Sequence, residues 1–395
     1  MSKCAAAAPG RPKQGTAPLG GSAALASSAN TDAGEVASVG VALVMAGGTG
    51  GHIFPGLALA QALRDGGWRV HWLGGRGQPG QPSMESQLVP PQGFAFEIID
   101  FGGLRGKGLV TVALLPLRLL KAFWQSIQVL RRVKPDVVVG LGGYITFPAG
   151  LMAVALGKPL ILHEQNSVAG LANKVLSHVA DRVFTAFPNV VKGAQWVGNP
   201  LREAFLNLPT PEQRFAGRSG PLKLLVVGGS LGAKALNEIV PQALALLPPD
   251  QRPAVIHQSG AKQIDALRAN YAQAGVAAEL TPFINNTAQA FADADLIICR
   301  AGASTVTEIA AVGAAALFVP FPSAVDDHQT HNARFLVDQG AGWLVQQRDL
   351  SAQSLAEMLS KMERLALMNK GLEAKKMQKL EATQRMVAAC QELAP

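Results

Sequence analysis

Two stretches of the chain run through the same succession of apolar, small and amphipathic positions. VALVMAGGTGGHIFPGLALAQAL (residues 41–63) and LKLLVVGGSLGAKALNEIVPQAL (residues 222–244) each open on an apolar run, pass through a glycine cluster and continue with apolar positions at helical spacing. That pattern predicts a strand, a tight turn and a helix whose first N–H groups face a ligand. Elsewhere short apolar runs alternate with amphipathic stretches. Strands are predicted at 41–46, 69–73, 94–99, 136–140, 159–163 and 182–185, then at 222–227, 253–257, 277–280, 295–299, 315–319 and 341–345. Helices are predicted at 55–65, 110–133, 148–156 and 170–179, then at 233–247, 262–273, 286–293, 304–312, 328–338 and 351–362. Such alternation calls for the α/β class with mostly parallel, doubly wound sheets. A Pro- and Gly-rich break at 197–221 divides the chain into expected domains at 40–199 and 200–364. The helical stretch 365–395 is long enough to return to the first domain, and 1–39, rich in Ala, Gly, Ser and Pro, reads as a disordered extension.

Composition narrows the classes. With 48% hydrophobic and 16% charged residues over 395 positions, the chain can bury large cores. A net charge of +8 favours an anionic partner. Two tyrosines, with no interleaving of aromatic and basic residues, argue against a base-stacking surface, so nucleic acid is not expected. Cys4, Cys299 and Cys390 are scattered, without CxxC, and read as reduced thiols. The uncharged run 137–157 is broken by Gly140, Gly142, Gly143, Pro148 and Gly150, which favours strand, turn and helix over a membrane span.

Candidate chemistry lies at predicted strand ends. The loop Gly47-Gly48-Thr49-Gly50-Gly51-His52 is neither GxGxxG nor a P-loop, and the next strand ends in Gly74-Gly75 where a dinucleotide site needs an acid. His52 is placed either to act as a general base or only to hydrogen-bond its loop. Gly140-Leu141-Gly142-Gly143-Tyr144 is a second glycine turn, and His163-Glu164-Gln165-Asn166 closes another strand, facing a ligand or solvent. Ser230 sits in the third glycine loop, suited to diphosphate; Arg202 could pair with phosphate or with a structural carboxylate. Glu308, one turn into the helix after Arg300-Ala301-Gly302, could take a ribose or serve as a cap. Asp293-Ala294-Asp295 spells DxD but lies at a helix-to-strand corner, and His328 with His331 lacks further ligands, so no metal site is expected. Residues 104–134 are basic and apolar without one acid, a composition suited to an anionic bilayer.

Taken in order, GGTGGHIFPGLALA, GLGGYITFPAG, LHEQNSVAGLANK, VGNPLR, VVGGSLGA and CRAGASTVTEIA closely resemble the MurG family. These are UDP-N-acetylglucosamine transferases acting on undecaprenyl-pyrophosphoryl-MurNAc-pentapeptide, lipid I, in peptidoglycan synthesis. The resemblance runs from about residue 41 to the end. It implies a GT-B fold, two Rossmann-like domains facing across a cleft, and an inverting reaction without metal or cofactor. It implies UDP-GlcNAc contacts at Thr49, Gly50, Gly51, Asn166, Arg202, Ser230, Ile284, Ala303, Ser304, Thr305, Val306, Thr307, Glu308 and Gln329, with His328 an alternative to Gln329 for the sugar. His52 would be the base and Glu164 its alternative; Gly48, Gly142, Gly143 and Tyr144 would face the acceptor diphosphate. Arg105, Lys107, Leu109, Leu114, Arg118, Lys121, Phe123 and Trp124 would rest on the cytoplasmic face of the inner membrane, as in a peripheral protein that meets cell-wall synthesis and division proteins. Another UDP-sugar enzyme of the same architecture, such as a UDP-GlcNAc 2-epimerase, and a non-catalytic nucleotide-sugar sensor are the competing readings.

Overall fold

The apolar runs of the first half pair into one seven-stranded parallel sheet. A computed structural model describes residues 38–78, 81–102, 114–229 and 231–394, and Ser38–Pro395 forms one unit. The strands are β1 (Val41–Met45), β2 (Arg69–Gly75), β3 (Ala95–Ile99), β4 (Val137–Gly140), β5 (Leu160–Glu164), β6 (Arg182–Thr185) and β7 (Gln195–Trp196), in the order β3-β2-β1-β4-β5-β6-β7. Helices α1 (Gly50–Asp65), α2 (Leu115–Val133), α3 (Thr146–Ala155) and α4 (Leu171–Leu176) fill the connections. β1 shows why both faces are apolar. Ala42 and Val44 pack with Leu59 and Leu63 of α1, while Leu43 and Met45 pack with Leu130 of α2 and Ala149 of α3.

The second half repeats the plan with six parallel strands. They are β8 (Lys223–Val227), β9 (Ala254–Gln258), β10 (Glu279–Thr281), β11 (Leu296–Cys299), β12 (Ala315–Phe318) and β13 (Gly342–Leu344), in the order β10-β9-β8-β11-β12-β13. Their helices are α5 (Lys234–Ala245), α6 (Ile264–Ala274), α7 (Thr287–Asp293), α8 (Ala303–Val312), α9 (His328–Val337) and α10 (Ala352–Ser360). In both sheets the first strand stands between neighbours reached by opposite crossovers. This is the topological switch point, where a crevice opens at the carboxyl ends of the strands.

One helix boundary differs from the expectation. α1 begins at Gly50, not at 55, with Pro55 inside the helix. A proline in the second turn forfeits one backbone bond, and burying Ile53, Leu59 and Leu63 outweighs that loss. The helical stretch at 365–395 comprises two helices, α11 (Arg364–Lys376) and α12 (Ala382–Leu393). Ala374 of α11 belongs to a core of the second sheet, whereas Ala382, Met386, Ala389 and Cys390 of α12 join the first sheet's core beside Leu59 and Leu63. The segment between them passes Gly198, the other crossing between lobes. Gly198 has φ 87°, and a Cβ there would lie 2.4 Å from that of Lys379, so only glycine fits.

The uncharged run 137–157 folds as β4, a turn and α3, and no helix among the described residues is long and apolar enough to cross a membrane. Asp295 of the DxD triplet accepts from Arg218 at 2.5 Å and from the Lys223 amide at 2.9 Å, with Arg364 at 3.3 Å. Its carboxylate ties strand ends together.

Candidate active site

Three loops at the carboxyl ends of β1, β4 and β5 converge on His52. Its Nδ1 lies 2.9 Å from the Leu141 carbonyl oxygen and 2.9 Å from Gln165 Oε1. A carbonyl oxygen only accepts, so Nδ1 carries a proton, and in the neutral ring the lone pair is on Nε2. The other end of the Gln165 amide supports this assignment. Its Nε2 donates to His163 Nδ1 at 3.0 Å, and His163 Nε2 donates to the Gly198 carbonyl at 2.8 Å. Burial holds His163 down to about 4, so it stays neutral and the direction of the chain is set. His52 itself is half-buried.

Glu164, the alternative base expected, has both carboxylate oxygens engaged in this structure. It is 3% exposed; Oε1 accepts the Asn166 amide at 2.9 Å, and Oε2 accepts the Gly170 amide at 3.1 Å and Asn173 Nδ2 at 2.8 Å. Both oxygens are spent on folding the loop 164–170. That loop presents Asn166, whose Oδ1 accepts from Asn332 of α9 in the other lobe at 3.3 Å.

The glycine loops touch one another. Gly142 (φ 98°) and Gly143 (φ 91°) bring the β4 loop against His52 and the Gly47 backbone; a Cβ on Gly143 would lie 2.5 Å from the Gly47 oxygen. Gly48, expected at the acceptor diphosphate, is held through its backbone. Its amide donates to Glu85 Oε2 at 3.2 Å, and the Gly75 amide donates to Glu85 Oε1 at 3.0 Å. Glu85, in the short helix Met84–Leu88, is fully buried and had no signal in the sequence reading. It also explains why β2 ends without the ribose-binding acid. The glycines there admit the Glu85 and Tyr144 side chains, and a Cβ on Gly75 would lie 2.7 Å from Tyr144 Oη. Burial, then the Glu85 charge, push the Tyr144 hydroxyl above its usual range.

In the second lobe Glu308 and Arg202 meet across 106 residues, Nη2 to Oε1 at 3.0 Å. Burial pushes the Glu308 carboxyl above the usual carboxylate range, against the pull of Arg202. The expected run Ala303–Glu308 divides by helical phase. Ser304, Thr305 and Glu308 are half-buried at the surface, while Ala303, Val306 and Thr307 are buried. The side chains of Ala303 and Val306 belong to the core, because positions three and four apart share a helix face. Thr307 Oγ1 bonds back to the Ala303 carbonyl at 3.0 Å. Gln329 Oε1 accepts the Phe321 amide at 2.9 Å, which leaves its NH2 end as a donor. Asp326 and Asp327, at φ 52° and 49°, form the left-handed turn that starts α9. Ile284 packs on the core around Phe291, and its carbonyl accepts Thr287 Oγ1 at 3.4 Å. Thr49, Gly50 and Gly51 form the N-terminus of α1. Ser230 lies outside the described residues, as do Arg105, Lys107 and Leu109.

The basic segment divides into exposed and engaged side chains. On α2 and just before it, Leu114, Leu117, Leu120 and Trp124 are exposed by 41, 64, 63 and 60%. Their spacing of three to four makes one apolar stripe. Phe123 is instead half-buried, its ring 6.3 Å from that of Phe147. Lys121 Nζ donates to Asp100 at 2.5 Å, so part of its charge is answered within the protein. The Lys121 bond is also the main cause holding the Asp100 carboxyl below its usual range. Arg118 is exposed beside the stripe.

Comparison with known proteins points the same way. The model of the glycosyltransferase family 28 N-terminal domain matches residues 42–185, and that of the family 28 C-terminal domain matches 223–389. A protein of Polaromonas sp. (strain JS666 / ATCC BAA-500) is 76% identical over 387 residues, 98% of each chain. One of Cupriavidus metallidurans is 63% identical over 352 residues, 89% of this chain and 98% of its own. Both are named UDP-N-acetylglucosamine–N-acetylmuramyl-(pentapeptide) pyrophosphoryl-undecaprenol N-acetylglucosamine transferase. Among solved structures, Acinetobacter baumannii MurG superposes with a TM-score of 0.77 at 40% identity, covering 89% of this chain and 99% of that one. The kitacinnamycin glycosyltransferase, at 15% identity and TM-score 0.64 over 90% of this chain and 99% of its own, shares the fold alone.

Proposed function

From the premise that this chain belongs to the MurG family within glycosyltransferase family 28, we propose how its GT-B fold carries out the transfer. It moves GlcNAc from UDP-GlcNAc to the 4-hydroxyl of MurNAc in lipid I, giving lipid II for peptidoglycan synthesis. The lobe at 200–364 holds the donor, the lobe at 40–199 faces the acceptor and the bilayer, and α12 returns to the second of these. Identity of 76% over nearly the full chain disfavours the epimerase reading.

The chemistry is a single inverting displacement. His52 Nε2, the unprotonated nitrogen, takes the proton of the attacking hydroxyl as the sugar's anomeric carbon is approached from the face opposite UDP. The observation that carries this role is the pair of acceptor oxygens on Nδ1, both at 2.9 Å. Departing UDP gains negative charge. The glycine loop after β8 and the first N–H groups of α5 meet it, and Ser230 and Arg202 serve as further diphosphate contacts, in place of a metal ion. Glu308 accepts the ribose hydroxyls, Ile284 offers backbone to uracil, and Gln329 with Asn166 orients the sugar. Gly142, Gly143 and Tyr144 face the acceptor diphosphate. The stripe on α2 rests on the anionic cytoplasmic leaflet, where lipid I is anchored, with Arg118 at the headgroups. Cell-wall synthesis and division proteins are its expected neighbours there.

The test is transfer of labelled GlcNAc onto a lipid I analogue with a chelator present and no divalent ion added. Product with a β-linkage, read from its anomeric proton coupling, is the expected result. Activity restored only by a metal would overturn the metal-free step, and an α-linkage would overturn inversion.

A further inference from the structure

The glycine loop after β8 is the element expected to meet the diphosphate; the Gly232 amide donates to the Gly229 carbonyl within it at 3.0 Å, and Gln263 Nε2 donates to the Leu231 carbonyl at 3.0 Å. Gly229 stands at φ 84° and Gly232 at φ 76°. Beneath them lies one side chain that no motif singled out. Gln258, the last residue of β9, is 3% exposed. Its backbone lies opposite Val227 in the parallel ladder, and its carbonyl accepts the Gly228 amide at 3.3 Å.

The Gln258 side chain then addresses two segments at once. Oε1 accepts the Gly229 amide at 3.1 Å, and Nε2 donates to the Gly229 carbonyl at 3.0 Å. A primary amide matched to both main-chain groups of one residue fixes that residue's peptide planes on both sides. The second hydrogen of Nε2 goes to the Pro282 carbonyl at 3.0 Å. Pro282 lies two residues before Ile284. All the hydrogen-bonding capacity of the Nε2 group is thereby used.

We propose that Gln258 is a positioning residue for the donor nucleotide: its amide sets the spacing between the loop that meets the diphosphate and the segment that meets the base. The proposal rests on the donor reading given above, in which those two segments share one ligand. Neither segment needs Gln258 to bind its own half of the nucleotide. A ligand that spans both needs them at one separation, and a pre-set separation removes the ordering cost of binding.

Uridine and UDP separate the two requirements. Calorimetry on the full chain should show UDP binding more tightly than uridine in the natural protein. In Gln258→Met, which can make none of the three bonds, uridine affinity should hold within about twofold while the UDP advantage shrinks by about tenfold or more. Gln258→Glu keeps the acceptor for the Gly229 amide but turns an oxygen toward two carbonyls. It should lose the advantage comparably, and it serves as the near-isosteric variant should Met disturb folding. At saturating donor kcat should change far less than the KM for UDP-GlcNAc. If both variants keep the natural UDP-to-uridine ratio, the proposal is overturned. It is overturned equally if uridine and UDP weaken together in folded protein, which would mark a general structural role. Absence of any UDP advantage in the natural protein would instead sink the donor reading itself.

Discussion

Asn332 accepts both the amide and the hydroxyl of Ser167 on one oxygen, at 2.8 and 2.7 Å, across the cleft between the lobes. The same side chain donates to Asn166 at 3.3 Å and to the Ala301 carbonyl at 3.1 Å, and it is fully buried. One uncharged residue therefore ties the Asn166 loop to α9, which carries Gln329. Asn332→Ala leaves those groups unpaired and should lower the unfolding free energy by about 1–3 kcal/mol. Urea melts would read this, and a rise in the KM for UDP-GlcNAc should accompany it.

His52→Ala should cut kcat by about 10²–10⁴-fold, the range for a lost general base, with little change in UDP affinity. Steady-state kinetics alongside UDP titration decides it. Full activity would assign proton removal to solvent, since the oxygens of Glu164 are already engaged.

Glu308→Ala should weaken UDP binding by about 10–100-fold, the range for a hydrogen bond to a charged group. The sharper reading compares UDP with its 2′,3′-dideoxy form. The natural protein should prefer UDP strongly, and the variant should bind the two alike. A preference that survives would remove the ribose assignment.

For the bilayer, Leu120→Glu combined with Trp124→Glu should abolish sedimentation with anionic vesicles while leaving the melting temperature unchanged, because both side chains are more than half exposed. Arg118→Glu should weaken binding more than Lys121→Glu, since Asp100 already answers the lysine. Binding by the double variant equal to that of the natural chain would return α2 to a purely structural role.

Two buried histidines give the fold an acid limit. Burial holds His257 down to about 3, between Tyr271 Oη at 3.0 Å and Asn237 Oδ1 at 3.1 Å, and His163 down to about 4. An unfolded histidine titrates near 6.5, so below that pH the unfolded chain binds protons the folded one refuses. Stability is therefore full above about 6.5 and declines as pH falls, by about 1.4 kcal/mol per unit for each residue until its folded value is reached. His257→Gln should flatten that decline in urea melts taken between pH 7 and 4. An unchanged slope would locate the acid sensitivity elsewhere.

The two parallel sheets were legible because a strand buried on both faces must be apolar and a helix on a sheet must be amphipathic, as the runs ending at Met45 and Val227 declare. Glycine at Gly142, Gly143 and Gly198 was visible as a letter, but the partner that forbids a side chain there is named only by the fold. The same divide runs through the site. The motifs that carry His52, Arg202 and Glu308 were enough to point to a family, because local spacing survives in the chain itself. Which oxygen faces His52, that Glu164 is spent on its own loop, that Val306 points inward, and that Glu85 and Gln258 lie beneath the glycine loops were decided only in three dimensions. Hydrogen bonds are short and directional, and these join residues up to 89 positions apart, so no periodicity along the sequence records them.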